Sequence, residues 1–132
     1  MVTSQTDFNS GNDSAQFINK WQGFLLEKVN SFVKWDVIRF FYDNPHTMET
    51  SDAIAAAIAA NPLSLANELE ELSQAGILIR KQNETARVYC LSDEPQVFEV
   101  IQEFVRSCHD RTFRLSVIQF MFGTSDYIKR AK

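Results

Sequence analysis

The chain has 132 residues, a formal net charge of −4 and 45% hydrophobic residues, which predicts one helix-rich globular domain. No apolar run approaches the ~20 residues that span a bilayer, so we expect no membrane-spanning segment. Two thiols, Cys90 and Cys108, lie far apart without an evident secretory leader, so we expect a reducing cytoplasm.

The N-terminal region divides into a polar arm and a helix. Residues 1–13 are polar and aperiodic, which predicts disorder. A first helix is predicted over 14–30, capped by Asp13 or Ser14. Its apolar stripe consists of Phe17, Trp21, Phe24, Leu25 and Val29. This stripe either covers the core or contributes to contact with a second copy of the chain.

A second helix is predicted over 31–42. It ends near Asp43, because Pro45 disfavours helical geometry in the residue before it. The side chains expected to face inward are Val33, Val37, Ile38, Phe41 and Phe40. Residues 46–49 then bridge to the next helix.

The centre of the sequence predicts two helices joined by a tight turn. The third helix lies within 50–60, is capped by Thr50 or Ser51, and has large apolar side chains only at Ile54 and Ile58. The fourth begins with Asn61 as its N-cap and proline at its first helical position. Its buried face is formed by Leu65, Leu69 and Leu72.

Gly76 follows, the residue best able to take a left-handed conformation at a helix end. Two β-prone runs over 77–81 and 86–91 are separated by a polar turn at 82–85, which predicts a hairpin. Helix, short turn, helix and hairpin is the order of a winged helix-turn-helix. The predicted fold class is therefore mainly α with a small β-hairpin wing (α+β), its core flanked by N- and C-terminal helices.

The C-terminal region is apolar at helical spacing from 96 to 122, after a helix start at 92–95. A single helix of this length exceeds what a small core can cover. Either it breaks near 109–111 into two helices, or it extends past the core and pairs with a second copy, and we favour homodimerisation through the terminal helices. Residues 123–132 are interpreted as a basic tail, so the single domain covers 14–122.

The segment from Ser51 to Pro95 resembles the core of winged-helix transcription regulators of the ArsR-like and MarR-like type. The residues that carry the resemblance are Ile54, Ile58, Asn61, Pro62, Leu65, Leu69, Leu72, the run 75–78, and the run 88–91 after the wing. It implies a homodimer on double-stranded DNA, with the second core helix in the major groove. Dimer contacts are expected from Phe17, Trp21, Phe104, Phe113, Ile118 and Phe122.

The same resemblance names candidate DNA contacts. The positions on the exposed face of the fourth helix are Leu63, Ser64, Ala66, Asn67 and Glu70. Asn67 could read adenine through two hydrogen bonds, and Ser64 could contact a phosphate or a base edge. The wing cations Arg80, Lys81 and Arg87 match positions that contact the DNA backbone or the minor groove. They are equally interpretable as charges that guard a hairpin edge.

The distribution of charge argues against DNA binding. Residues 46–75 contain five acidic side chains and no lysine or arginine, where a DNA-binding protein usually places cations. The alternative is a winged helix that binds a protein partner through its acidic second core helix. We favour the DNA-binding regulator, because the order of the elements supports it.

Enzymatic motifs are not evident. The sequence has no glycine-rich phosphate loop, nucleophile elbow or close pair of histidines or cysteines, so we expect neither an enzyme nor a cofactor. The run Cys108-His109-Asp110 suggests a metal site, but adjacent helical residues point about 100° apart. We therefore expect no metal, and only a site shared across a dimer stays open. Trp35, Phe40 and Phe41 could line an apolar ligand pocket, although plain core is the simpler interpretation.

Overall fold

The computed structural model describes the backbone of residues 20–131 and the side chains through Phe122. This range contains six helices and a small antiparallel sheet. Helix α1 covers 20–27 in its described part, and the later elements are α2 Phe32–Asp43, β1 Glu49–Thr50, α3 Ser51–Ile58, α4 Pro62–Gln74, β2 Leu78–Gln82, β3 Arg87–Leu91, α5 Pro95–Ser107 and α6 Arg111–Ala131. The predicted α+β winged-helix fold class is confirmed. The arm at 1–13, the start of the first helix and Phe17 lie outside the described residues.

The helix-turn-helix is formed by α3 and α4, and local signals define both helices. The Thr50 hydroxyl accepts a hydrogen bond from the Ala53 amide at 3.2 Å, and the Asn61 side chain accepts one from the Leu63 amide at 2.9 Å. Leu65, Leu69 and Leu72 are fully buried, as their spacing predicts. The buried leucines fix which face of α4 is left for solvent or a partner.

The turn between α3 and α4 contains a non-glycine residue in a left-handed conformation. Ala59 has φ of 58°, and the following Ala60 amide bonds to the Ala55 carbonyl at 2.9 Å. For an L-residue this conformation costs about 1–2 kcal/mol. Gly76, after α4, takes φ of 85° without that cost.

The sheet has the order β1-β3-β2, so the short strand before α3 pairs with the second strand of the wing, which is the central strand of the sheet. In the hairpin, Arg80 is opposite Tyr89 and Gln82 is opposite Arg87. Because side chains alternate along a strand, Arg80, Arg87 and Tyr89 share one face. The hairpin turn is closed by the Asn83 side chain, which accepts from the Ala86 amide at 2.7 Å.

The C-terminal apolar pattern is divided between two helices, the first of the two alternatives above. The Asp110 carboxylate accepts from the Phe113 amide at 2.9 Å and caps α6. Arg114 donates to the carbonyl of Cys108 at 2.7 Å, which satisfies the end of α5. Helix α6 continues through Ala131, past the end at Phe122 that the sequence suggests, since one glycine costs only about 1 kcal/mol in a helix.

An aromatic cluster joins the flanking helices to the core. The Phe104 ring lies 5.4 Å from that of Trp21, 5.2 Å from Phe24 and 6.1 Å from Phe113. Phe104 is fully buried and Trp21 nearly so. Both were expected at a dimer contact, but their side chains are occupied by the core of their own chain, because α5 packs inward here. In the described part of the chain, no helix has the length and apolarity needed to cross a membrane.

Replacement of Ala59 by glycine should stabilise the protein. Glycine relieves the left-handed strain, and this gain exceeds its larger entropy in the unfolded chain, so we expect the free energy of unfolding to rise by up to about 1 kcal/mol. The matched control is Ala56→Gly on the exposed side of α3, which should cost about 0.5–1 kcal/mol. Urea denaturation measures both. Equal destabilisation by the two variants would contradict the strained turn.

Candidate nucleic-acid interface

The solvent face of α4 is formed by Leu63, Ser64, Ala66 and Asn67, all exposed. Ser64 and Asn67 are three residues apart and therefore lie side by side on the helix surface. The Ser64 hydroxyl donates to the Asn61 carbonyl at 3.3 Å but keeps its lone pairs for another donor. The structure brings the two predicted base-reading residues together at the N-terminal half of α4.

The sequence suggests that Glu70 faces the solvent, but in the structure its carboxylate faces the wing. Its Oε1 accepts from Arg80 at 2.5 Å, and its Oε2 accepts from the Tyr89 hydroxyl at 2.6 Å and lies 3.5 Å from Arg87. The Tyr89 hydrogen bond and the two arginine charges hold the pKa of Glu70 below its usual value, against the opposing effect of burial. Burial and the neighbouring carboxylate raise the pKa of Tyr89.

The other two glutamates of α4 meet a buried lysine from α2. Lys34 is only 2% exposed, forms an ion pair with Glu71 and lies 3.7 Å from Glu68. Its ammonium also donates to the Asn30 side chain at 2.6 Å. The Ser31 hydroxyl donates to Glu68 at 2.6 Å. A buried ammonium needs such partners, because removing an unpaired charge from water is costly.

The acidity of α4 is therefore balanced within the chain. Its three glutamates face three cations, Lys34 from α2 and the two wing arginines. The count of charges over 46–75 misses this balance, because all three cations lie outside that window. The charge argument against a nucleic-acid surface is weakened accordingly.

The three wing cations are not equivalent. Arg80 and Arg87 lie on the face of the hairpin toward α4, and about half of each side chain is still exposed (47% and 52%). Lys81 is opposite Val88, on the other face, and is exposed. Lys81 could therefore meet a phosphate directly, whereas the two arginines are already bonded to Glu70.

A cavity of about 420 Å³ separates α2 from the turn between α5 and α6. Its lining residues are Trp35, Arg39, Tyr42, Asp43, Val105, Cys108, His109 and Arg114. The Trp35 indole N–H is buried, and the acceptor beside it is the weakly accepting sulfur of Cys108. Burial raises the pKa of Cys108 to about 11, so this thiol stays protonated at neutral pH.

The Cys108-His109-Asp110 run is used structurally. Asp110 caps α6, Cys108 is buried and His109 is exposed. Over residues 20–122, no group of three or more His, Cys, Asp or Glu side chains is placed to hold a metal ion.

Sequence reasoning missed Lys34, although a signal was present. Val33, Val37 and Ile38 place the buried face of α2, and Lys34 lies between them at helical spacing. A lysine on a buried helix face needs an anionic partner. Glu68 and Glu71 of α4 provide that partner.

Comparisons with solved structures agree with this fold. NadR in complex with 4-hydroxyphenylacetate aligns over 94% of this chain and 93% of its own, with a TM-score of 0.50 and 20% identity. AbfR of Staphylococcus epidermidis aligns over 99% and 94%, with a TM-score of 0.50 and 18% identity. A possible transcriptional regulator from Methanosarcina mazei Go1 aligns over 60% and 70%, with a TM-score of 0.44 and 23% identity.

No protein-family model matches the chain, and no curated protein matches it. NadR and AbfR share their fold with this chain, in agreement with the winged-helix fold predicted from the sequence. At these identities the likeness shows the fold and leaves function to be argued from the site.

Lys34→Met should destabilise the protein by about 1–3 kcal/mol, because two glutamates lose their cation and Asn30 loses its donor. The partial exposure of Glu71 keeps the cost below that of a fully buried pair. The matched control is Lys20→Met, since the ion pair of Lys20 with Glu103 is exposed and should contribute about 0–1 kcal/mol. Thermal and urea denaturation compare the two. A loss no larger than that of the control would show that the buried pair does not hold α4.

Proposed function

We propose that this chain is a DNA-binding transcriptional regulator of the winged-helix type that acts as a homodimer in the cytoplasm. One observation carries the proposal: the exposed face of α4 presents Ser64 and Asn67, while its three carboxylates bond to cations of the same chain. A helix with this surface can approach the major groove without three uncompensated negative charges. The likeness in fold to known regulators supports the same assignment.

In this proposal each predicted contact has a distinct task. Asn67 reads adenine through its side-chain amide, and Ser64 contacts a base edge or a phosphate. Lys81 contacts the DNA backbone from the wing. Arg80 and Arg87 keep enough exposed surface to reach phosphates as well.

The dimer surface is proposed on the side of α6 and α1 that the core leaves uncovered. Exposed large apolar side chains on these helices and at the start of α2 are Leu26, Phe32, Leu115 and Phe122. The rings of Phe32 and Phe122 are 5.6 Å apart and form one patch. The half-buried Phe113 and Ile118 lie on the same helix as Phe122. An exposed patch of this kind is typical of a protein interface.

One exposed residue is compatible with a second function. Leu63 is 85% exposed at the start of α4, and an apolar side chain there suits a protein partner. It equally suits the methyl group of a thymine. The protein-interaction module is therefore the alternative to DNA binding.

We also propose that the cavity between α2 and α5–α6 binds a small organic anion that controls the regulator. The buried Trp35 indole N–H has only the Cys108 sulfur as a weak acceptor, and Arg39 lines the same cavity. A carboxylate or phenol would accept from both donors. The structural neighbour NadR was solved with 4-hydroxyphenylacetate, a ligand of this chemistry.

DNA binding tests the main proposal. The protein should bind duplex DNA with a steep salt dependence and prefer DNA from upstream of its own gene. Asn67→Ala should lose about 1–3 kcal/mol of discrimination at one base position, whereas Lys81→Ala should weaken binding equally on all sequences. Fluorescence anisotropy measures both. Absence of binding even at low salt would favour the protein-interaction module.

The dimer makes a separate prediction. Phe122→Glu should raise the monomer fraction at micromolar concentration, because it places a charge in the apolar patch. Sedimentation velocity measures the change. The control is Leu63→Glu, the same kind of substitution at an exposed apolar residue of α4, which should leave the dimer intact. A wild-type chain that sediments as a monomer would contradict the dimer.

The cavity is tested by ligand titration. 4-Hydroxyphenylacetate should change the tryptophan fluorescence, and Arg39→Ala should weaken the binding at least severalfold by removing the charged donor. Arg106→Ala, an exposed arginine on α5 outside the cavity lining, is the matched control. No titratable fluorescence change with wild-type protein would remove this ligand class from the proposal.

A further inference from the structure

Glu70 occupies a position that no other carboxylate of α4 shares. It lies one helical turn after Asn67, on the side of the helix that faces the wing. Its carboxylate bonds to Arg80, Tyr89 and Arg87 at the same time. Glu68 and Glu71 point instead to Lys34, away from the wing.

The hairpin register explains why three donors meet at one carboxylate. Arg80 and Tyr89 are directly opposite in the β-ladder, and Arg87 precedes Tyr89 by two residues on the same strand face. Tyr89 is buried, so its hydroxyl fixes one oxygen of Glu70. The arginines are about half exposed, so they can exchange partners with solvent or with a ligand.

Two cations and one anion leave a net charge of +1 on this cluster. A DNA phosphate would offer the arginines a partner chemically similar to the one that they already hold. Glu70 and the phosphate compete for the same guanidinium groups, and the carboxylate also repels the phosphate directly.

We propose that Glu70 is an autoinhibitory charge that sets the DNA affinity of the wing, because it holds Arg80 and Arg87 until a phosphate displaces it. This inference rests on the DNA-binding function proposed above. Asn67 and Ser64 determine which sequence is read, whereas Glu70 determines how tightly any duplex is held. The regulator therefore binds DNA less tightly than its wing cations allow, which favours release from non-specific sites.

The test replaces Glu70 by glutamine, which keeps the shape and retains one acceptor oxygen for the Tyr89 hydroxyl but loses the charge and the second acceptor that hold Arg80. We expect E70Q to bind random duplex severalfold more tightly than wild type. The slope of log K against log salt should become steeper by about 0.9, the value for one additional phosphate contact. The charge-matched control is Glu84→Gln, an exposed acid at the wing tip. E84Q should change affinity less and leave the slope nearly unaltered.

A double-mutant cycle makes the result independent of any general change in the fold. Arg80→Ala should cost more affinity in the E70Q background than in wild type, because Glu70 already occupies Arg80 in wild type. Circular dichroism and thermal unfolding of each variant establish that the comparison is between folded proteins. The expected coupling is a severalfold difference between the two effects of R80A.

The outcomes separate this inference from the proposed function. Tighter, steeper binding by E70Q and a larger R80A effect in that background support autoinhibition. Weaker binding by E70Q, with equal R80A effects, would overturn it and make Glu70 a residue that positions the wing, while DNA binding by wild type still stands. If neither wild type nor E70Q binds DNA at low salt, both proposals fail.

Discussion

The arrangement of the winged helix depends on how three glutamates of α4 are neutralised. Lys34 reaches them from α2, and Arg80 and Arg87 reach them from the wing. These pairs attach α4 on two sides, in addition to the buried leucines that anchor it to the core. Polar pairs of this kind add direction to a hydrophobic contact that is itself non-directional. Together with the buried leucines, these pairs set the rotation of α4 and leave its Ser64 and Asn67 face outward.

Local signals in the sequence predicted most of the fold. The Asn61 cap, the leucines at helical spacing and Gly76 each act through neighbouring residues, so their effect can be read without the tertiary structure. The same holds for the wing, whose strands each begin one residue later than the predicted runs. The break between α5 and α6 was left open, since an apolar stripe continues on both sides of the Asp110 cap.

The sequence did not predict the ion pairs of α4, because their partners lie on other elements of the fold. Lys34 and Glu71 are 37 residues apart, and Arg80 is paired with a residue on another element. The count of charges over residues 46–75 therefore described α4 as acidic without any neighbouring cation, although the fold supplies three cations from other elements. The burial of Phe104 was not predictable either, because an apolar stripe on a helix does not show whether the helix packs on its own core or on a second copy. The positions of Asn67, Ser64 and Lys81 on the surface follow from helix and strand periodicity alone.

The most direct test of internal neutralisation is a carboxyl-detected NMR titration of Glu70 in the DNA-free protein. If the Tyr89 hydroxyl and the wing arginines bond to this carboxylate, its pKa lies below the usual glutamate value of about 4.3. Arg80→Ala should then move the pKa of Glu70 back toward that value. A Glu70 that titrates normally in the wild-type protein, and is unaffected by Arg80→Ala, would contradict the account, because α4 would then present an uncompensated acid to DNA.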